Sequence, residues 1–235
     1  MSWKIKGKSV TFYDNIIQDG LVLNLDAGNP VSYSGSGTTW YDLSDNGNNG
    51  TLVNGVGFDG GNFGSLTFDG VDEYVGAPVF IPTEDASIEV WARIDIFEGN
   101  VLFGFGGDDY PGGFAGSGPD VYIDGGIWVW NTGDGVSNPF SSSPTVNTTD
   151  WFNYIVTTES ASNAKLYVNG SLIGTANHRS AKVTNSGDRV IIGRWGNLTG
   201  FETPGNYGVV RVYDRVLTAS EVTQNFDALK KRYGL

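Results

Sequence analysis

Ser87-Ile-Glu-Val-Trp-Ala-Arg-Ile94 alternates along its whole length, and its reading decides the fold. With a side-chain period of two, Ile88, Val90, Ala92 and Ile94 point one way and Glu89, Trp91 and Arg93 the other. The aliphatic face predicts a central β-strand over a core. The second face is amphipathic, and Arg93 stands two residues from Trp91, within reach of its indole. That face is expected to be shallowly covered or to line a groove.

The strands around it follow the same rule. Leu21, Leu23 and Leu25 share one face before the chain breaks at Gly28-Asn29-Pro30. A long polar loop, 35–50, comes next, with Trp40 and Leu43 as its expected pins. Asn54-Gly55 and Asn169-Gly170 both read as two-residue hairpin turns, because Asn and Gly tolerate positive φ. Near the end, Thr218 is an N-cap, Glu221 completes a capping box, and Leu217 can staple onto Val222. Val222, Phe226, Leu229 and Tyr233 then form one apolar stripe, predicting a helix over 219–233 that clamps onto the sheets. Lys230, Lys231 and Arg232 suit its C-terminal dipole, and Gly234 its exit.

Composition agrees with an all-β chain. Thirty-five glycines and abundant aromatics (Trp 7, Tyr 11, Phe 13) in 235 residues imply many tight turns between bulky faces. One domain is expected at this length. The net charge of −12 disfavours nucleic acid, which needs a basic footprint. Without cysteine there is no disulfide framework or zinc–thiolate site. Residues 1–19 stand apart as an arm: Lys4, Lys6 and Lys8 alternate with Ile5, Gly7 and Ser9, giving +3 through Tyr13 and leaving −15 on the rest. Such asymmetry marks a docking strand, and a frayed end or first strand is the plainer alternative. The opening residues carry no apolar run, so neither a signal peptide nor a membrane span is expected.

Several motifs together resemble a known family. Gly20-Leu-Val-Leu-Asn-Leu-Asp-Ala-Gly-Asn-Pro30, Thr39-Trp-Tyr-Asp-Leu-Ser44, Gly47-Asn-Asn-Gly-Thr-Leu-Val-Asn-Gly55 and Phe68-Asp-Gly-Val-Asp-Glu-Tyr-Val75 open the series. Lys165-Leu-Tyr-Val-Asn-Gly170, Val190-Ile-Ile-Gly-Arg194 and the segment Val210 to Val222 continue it. Over about residues 20 to 229 the chain resembles the LamG-like, concanavalin A-type lectin/glucanase domain, in the form found in tailed-phage virion proteins. The resemblance implies an antiparallel jelly-roll β-sandwich over 20–235 with one C-terminal capping helix. It further implies a non-catalytic, lectin-like carbohydrate-binding or adhesion module on a bacteriophage virion surface, assembled in the host cytoplasm. Its partners would be a host surface polysaccharide and, through the arm, a capsid or tail protein; self-association stays open. A purely structural decoration protein is the alternative. A glycoside hydrolase is the third reading. The glucanases' Glu-x-Asp-x-x-Glu spacing is missing, because Asp95-Ile-Phe-Glu98 has Arg93 where the nucleophile would stand.

The candidate site residues lie in loops and on one strand. Asp108 and Asp109, in the loop after Val101-Leu-Phe-Gly-Phe-Gly106, are candidate calcium ligands, since calcium takes hard oxygens. In related pentraxin and laminin G domains the metal site draws on this loop and on the one after the Ile-Gly-Arg strand. Here that second loop is Trp195-Gly-Asn-Leu-Thr199, which offers Asn197 rather than a carboxylate. Asp69, Asp72 and Glu73 are an alternative acidic cluster with a turn-forming role of their own. Trp195, Asn197 and Tyr110 are the candidate glycan contacts. Trp128 and Trp130 share one face of Val121-Tyr-Ile-Asp-Gly-Gly-Ile-Trp-Val-Trp130, either as core or as an exposed sugar platform. The single histidine, His178, reads as a surface residue.

Overall fold

A computed structural model describes the chain except residues 1–2, 6–7, 11–14, 80–84, 96–99, 107–119, 125–126, 132–136, 140–149, 160–162, 178–188 and 195–201. Its strands, in chain order, are β1 (Trp3–Ile5), β2 (Lys8–Val10), β3 (Leu21–Asp26), β4 (Thr39–Trp40), β5 (Gly50–Val53) and β6 (Gly57–Asp59). Then come β7 (Ser65–Phe68), β8 (Tyr74–Ala77), β9 (Ala86–Ile94), β10 (Asn100–Gly106), β11 (Asp120–Asp124) and β12 (Ile127–Asn131). The last are β13 (Ser137–Pro139), β14 (Phe152–Thr158), β15 (Asn163–Val168), β16 (Ser171–Asn177), β17 (Arg189–Ile192) and β18 (Gly205–Tyr213), followed by helix α1 (Ala219–Leu229).

Two antiparallel sheets face each other. One runs β16-β15-β14-β9-β18-β7-β6, with β3 also paired to β18; the other runs β13-β12-β11-β10-β17-β8-β5-β4. The concanavalin A-like jelly-roll sandwich with one C-terminal helix is therefore the architecture observed. Ile88, Val90, Ala92 and Ile94 of β9 are buried in the core between the sheets, together with Leu23, Leu25, Val75, Phe103, Val121 and Val210.

The outer face of β9 is no groove. Glu89 and Trp91 are completely buried, because α1 and the 3-10 turn Lys230–Arg232 lie over them. Trp91 stacks with both Phe226 and Tyr233, ring centroids 5.7 and 4.6 Å away, and its Nε1 donates to Glu89 Oε1 at 2.9 Å. Arg93 turns instead to Asn206, donating to Oδ1 at 2.9 Å. Aromatic stacking on the clamp takes the place of the expected cation–π contact, since a flat indole buries more area against two rings than against one guanidinium.

The clamp is built as its local sequence dictates. Thr218 Oγ1 accepts from Glu221 N, Glu221 Oε2 accepts from Thr218 N at 2.8 Å, and Arg215 grips the same carboxylate at 2.7 Å. The α-helix stops at Leu229, short of the expected 233, and tightens into 3-10 geometry. Arg232 serves burial rather than the dipole: its Nη1 donates to both oxygens of buried Asp26, at 2.8 and 2.9 Å. Gly28 makes room for it, because a Cβ there would lie 2.1 Å from Arg232 Nη2.

The two Asn-Gly turns differ in what they join. Asn169 and Gly170 have φ of 49° and 76° and connect paired strands β15 and β16. Asn54 and Gly55 have φ of 62° and 96° but lead from β5 in one sheet to β6 in the other. The turn conformation is as expected; the hairpin is an inter-sheet arch. Trp40 is a buried pin of the long loop, whereas Leu43 is half-buried and held by Leu43 N donating to Asn24 O at 2.9 Å.

In the arm, β1 and β2 pair as their own two-stranded antiparallel sheet. The chain that follows is fastened to the clamp. Ile17 N donates to Asn225 Oδ1 at 2.9 Å, Gln224 Nε2 to Asn15 O at 2.9 Å, and Tyr213 Oη to Ile17 O at 3.2 Å.

Candidate functional site

One end of the sandwich gathers the motif loops. There β7 ends at Phe68, β8 begins at Tyr74, β9 ends at Ile94, β17 ends at Ile192 and β18 begins at Gly205, neighbours in register. Val75 and Ile192 point into the core, so Tyr74 projects outward. The Arg194 guanidinium lies over its ring, Cζ 3.8 Å from the centroid. Gly193, at φ 87°, turns the chain between Ile192 and Arg194, and a side chain there would meet the Phe68 ring at 2.7 Å. Gly193 O accepts from Thr203 N at 2.8 Å, which ties the end of β17 to the residues leading into β18.

The neighbouring turn uses the carboxylates of Glu73 and Asp69 internally. Glu73 Oε2 accepts from Asp69 N at 2.6 Å and Asp69 Oδ1 from Val71 N at 2.8 Å, while Asn54 Nδ2 donates to Asp72 O at 3.0 Å. Burial pushes the Glu73 carboxyl above the usual carboxylate range; the Asp69 N–H opposes this and the charges of Asp69 and Asp72 add to it. Among the described residues no three His, Cys, Asp or Glu side chains converge as a metal site, and this cluster has the turn-forming role expected of it.

Trp195, Asn197, Tyr110, Asp108, Asp109 and His178 lie outside the described residues. What is described is where their segments depart. In β10 and β17, Phe103 pairs with Ile192 and Gly106 with Arg189. β10 therefore ends, at Gly106, beside the start of β17 at Arg189, whereas β17 ends at Ile192, one strand length away. The strand Arg189–Ile192 spans three extended steps, roughly 10 Å.

Trp128 and Trp130 are 1% and 0% exposed. Trp128 packs edge-on against Phe152 at 5.7 Å and near Tyr154 at 5.2 Å, both in the opposing sheet. This corrects their candidacy as a sugar platform: no ligand reaches them, and the core reading holds. The opposite face of β12 carries Ile127, which is exposed, and Val129, which is buried.

Two features escaped the sequence reading. One is the Tyr74–Arg194 stack, whose only signal was an arginine ending the Ile-Gly-Arg strand directly before Trp195. The other is the polar network beneath α1. Glu89 Oε1 accepts from Trp91 Nε1 and, at 3.2 Å, from Arg211 Nη1; Oε2 accepts from Asn225 Nδ2 at 2.9 Å. Asn153 Nδ2 approaches Oε1 at 3.3 Å, and Arg211 Nε donates to Asn24 Oδ1 at 3.0 Å.

A family model described as the concanavalin A-like lectin/glucanases superfamily matches residues 69–223. The chain belongs to that superfamily. Among solved structures it is similar to domain 4 of an extracellular arabinanase from Geobacillus stearothermophilus, solved with arabinotriose. The TM-score is 0.66 at 16% identity, covering 89% of this chain and 98% of that one. The binding domain of botulinum neurotoxin DC, in complex with SialylT, gives 0.65 at 16% identity over 90% of this chain and 52% of that one. A Trypanosoma rangeli sialidase with the inhibitor DANA gives 0.65 at 18% identity over 90% and 33%. This chain thus spans about half of the toxin domain and a third of the sialidase. No curated protein matches the sequence. These likenesses establish the shared fold.

Proposed function

We propose that this superfamily member is a non-catalytic glycan-binding module whose contact surface is the end bearing Tyr74, Arg194 and the segment 195–201. The observation that carries the reading is the Arg194–Tyr74 stack at the root of the segment holding Trp195 and Asn197. In this reading the stacked Arg194 and Tyr74 side chains form the fixed floor of the contact surface, while Trp195 supplies a π-face for sugar C–H groups and Asn197 a hydrogen-bonding amide. Solved relatives of the same fold with bound arabinotriose and SialylT support the ligand class by analogy.

Two buried carboxylates support the non-catalytic reading. Glu89 and Asp26, both with 0% exposure, are neutralised by Arg211 and Arg232 beneath the clamp. Glycoside hydrolysis needs two carboxyls open to substrate, about 5–9.5 Å apart. The motif resemblance extends the proposal to display on a phage virion, with host surface polysaccharide as ligand and the arm as the attachment to a capsid or tail neighbour. Weak single sites then gain about 10²- to 10⁴-fold from many copies on one particle.

The test is retention of domain-coated beads on a panel of host polysaccharides, comparing wild type with Tyr74→Ala and Trp195→Ala. Retention lost in both variants with unchanged melting supports the assignment. Retention that survives both overturns it.

A further inference from the structure

The clamp seals the outer face of its sheet only part of the way, and its edge leaves a ledge. Along β9 the outward residues Ser87, Glu89 and Trp91 are fully buried, and Arg93, the next, is half-buried. Along β14 Ile155 and Asn153 are buried, and Trp151 is half-buried. Trp151 stands opposite Arg93, one step past the Phe152–Ala92 pair, while Asn206 of β18 pairs with Arg93 and also with Thr67 of β7. Their neighbours Phe152, Ala92, Tyr207 and Phe68 point into the core, so Trp151, Arg93, Asn206 and Thr67 all face outward. They form one row across four adjacent strands, about 14 Å long. We propose that this row is a second saccharide site, one that takes a carboxylate-bearing oligosaccharide. The proposal rests on the reading of the chain as glycan-binding and adds a site to it.

Arg93 is oriented by a buried amide. Its Nη2 donates to Asn206 Oδ1 at 2.9 Å, and Asn206 Nδ2 donates to Ser65 Oγ at 3.0 Å, with Asn206 and Ser65 both buried. Arg211, Arg215 and Arg232 each lie on a carboxylate. Among the described residues Arg93 pairs with no acid, only with this neutral amide, although the chain has 26 acids to 14 bases. A half-buried cation so placed gains most from a ligand that brings a charge, because charge-assisted hydrogen bonds are about twice as strong as neutral ones.

The flanks of Arg93 suit a sugar. Trp151 is braced by Tyr233, centroids 4.5 Å apart, and Tyr233 stacks in turn on Trp91. Its half-buried indole offers an apolar surface to sugar C–H groups one strand spacing from the guanidinium, and Thr67 offers a hydroxyl on the other side. Gly57 pairs with Thr67, and a side chain at Gly57 would meet Thr67 Oγ1, so glycine leaves that hydroxyl clear. Exposed acids lie near the row: Asp95 two residues past Arg93, Asp69 two past Thr67, and Asp150 next to Trp151. Two strand residues are about 7 Å, so a ligand carboxylate about 3 Å from Arg93 is attracted by it more than Asp95 repels it.

The experiment displays full-length protein on beads and measures retention on polyglucuronate, on a neutral glucan of similar length and on polyglutamate, at low and high salt, with thermal melts on every variant. Arg93→Met should lose about tenfold on polyglucuronate, little on the glucan, and most of the salt dependence. Arg93→Lys, which keeps the charge and a donor for Asn206, should regain part of that loss. Trp151→Leu should lose about threefold or more on polyglucuronate. Arg93→Met retained like wild type, or Arg93→Lys no better than Arg93→Met, overturns the site. Should Arg93→Met fail to fold, Trp151→Leu decides, and retention equal to wild type overturns the site. Polyglutamate held as strongly as polyglucuronate overturns the sugar class in favour of an acidic peptide. Polyglucuronate held no better than the glucan also overturns this site; the glycan reading then stands if retention on host polysaccharides still depends on Tyr74 and Trp195, and falls with it if nothing is retained.

Discussion

Replacing Arg211 by Met strands a charge in the clamp interior. Arg211 and Glu89 are each 0% exposed and 3.2 Å apart, on adjacent strands in direct register. Without the guanidinium, Glu89 keeps the N–H groups of Trp91, Asn153 and Asn225 but no countercharge, and Asn24 Oδ1 loses its donor. Breaking a buried pair from one side costs about 3–5 kcal/mol. For a domain of this size each kcal/mol shifts the melting temperature by about 2–4 °C, so Arg211→Met should melt about 6–20 °C lower. Adding Glu89→Gln removes the stranded charge while keeping a side-chain oxygen for Trp91 Nε1, and should recover most of the loss. Urea unfolding at pH 7 on wild type, both single variants and the double variant closes the cycle. A loss under about 1 kcal/mol in Arg211→Met, the size of a solvent-exposed pair, would refute the claim that this pair is sealed. So would a double variant no more stable than Arg211→Met.

Arg215, beside Glu221, holds that carboxyl at about 2, below its ordinary value of 4.5, aided by the Thr218 bonds. A depressed folded-state value stabilises the fold above the unfolded value and is lost as pH falls from about 4.5 towards 2. Glu221→Gln should therefore flatten the acid limb of the stability–pH curve and cost about 1 kcal/mol of helix capping at pH 7; an unaltered limb contradicts the assignment. If Asp108 and Asp109 bind calcium, chelation lowers the melting temperature by mass action and Asp108→Ala with Asp109→Ala abolishes that sensitivity; an identical melt with and without chelator removes calcium from the account. Deleting residues 1–14 leaves the Asn15–Asp19 tether in place, so the sandwich should melt within a few degrees of wild type; if the arm docks the chain on a virion, as proposed, the same deletion abolishes incorporation. Normal incorporation of the truncated chain would defeat the docking role of the arm.

Legibility in the sequence tracked the range of the interaction. The capping box joins Thr218 and Glu221, three apart in the chain, and its chemistry is readable in full. The inner face of β9 was equally plain, because facing another sheet imposes strict alternation. Its outer face was misread because the cover over Glu89 and Trp91 comes from residues 222–233, and a face sealed by a polar network carries the same letters as one in water. Asn54-Gly55 announced its own φ values but not that β5 and β6 belong to different sheets, which long-range pairing decides. Trp128 and Trp130 lay on a strand apolar on both faces, where periodicity cannot choose the inside. The Asp26–Arg232 pair joins residues 206 apart and had no local signal. At the candidate site, the Ile-Gly-Arg motif marked the right strand, yet the stack needed Tyr74, which reaches Arg194 only because β8 and β17 pair.

The central claim, binding without cleavage, is tested most directly by incubating the bead-displayed domain with a polysaccharide it retains, then eluting and sizing the polymer alongside a reducing-end assay. The account predicts saturable retention, lost in Tyr74→Ala and Trp195→Ala, with the eluted polymer at its original length and no new reducing ends. Shortened polymer or reducing ends rising with time would contradict it and make the chain a glycoside hydrolase.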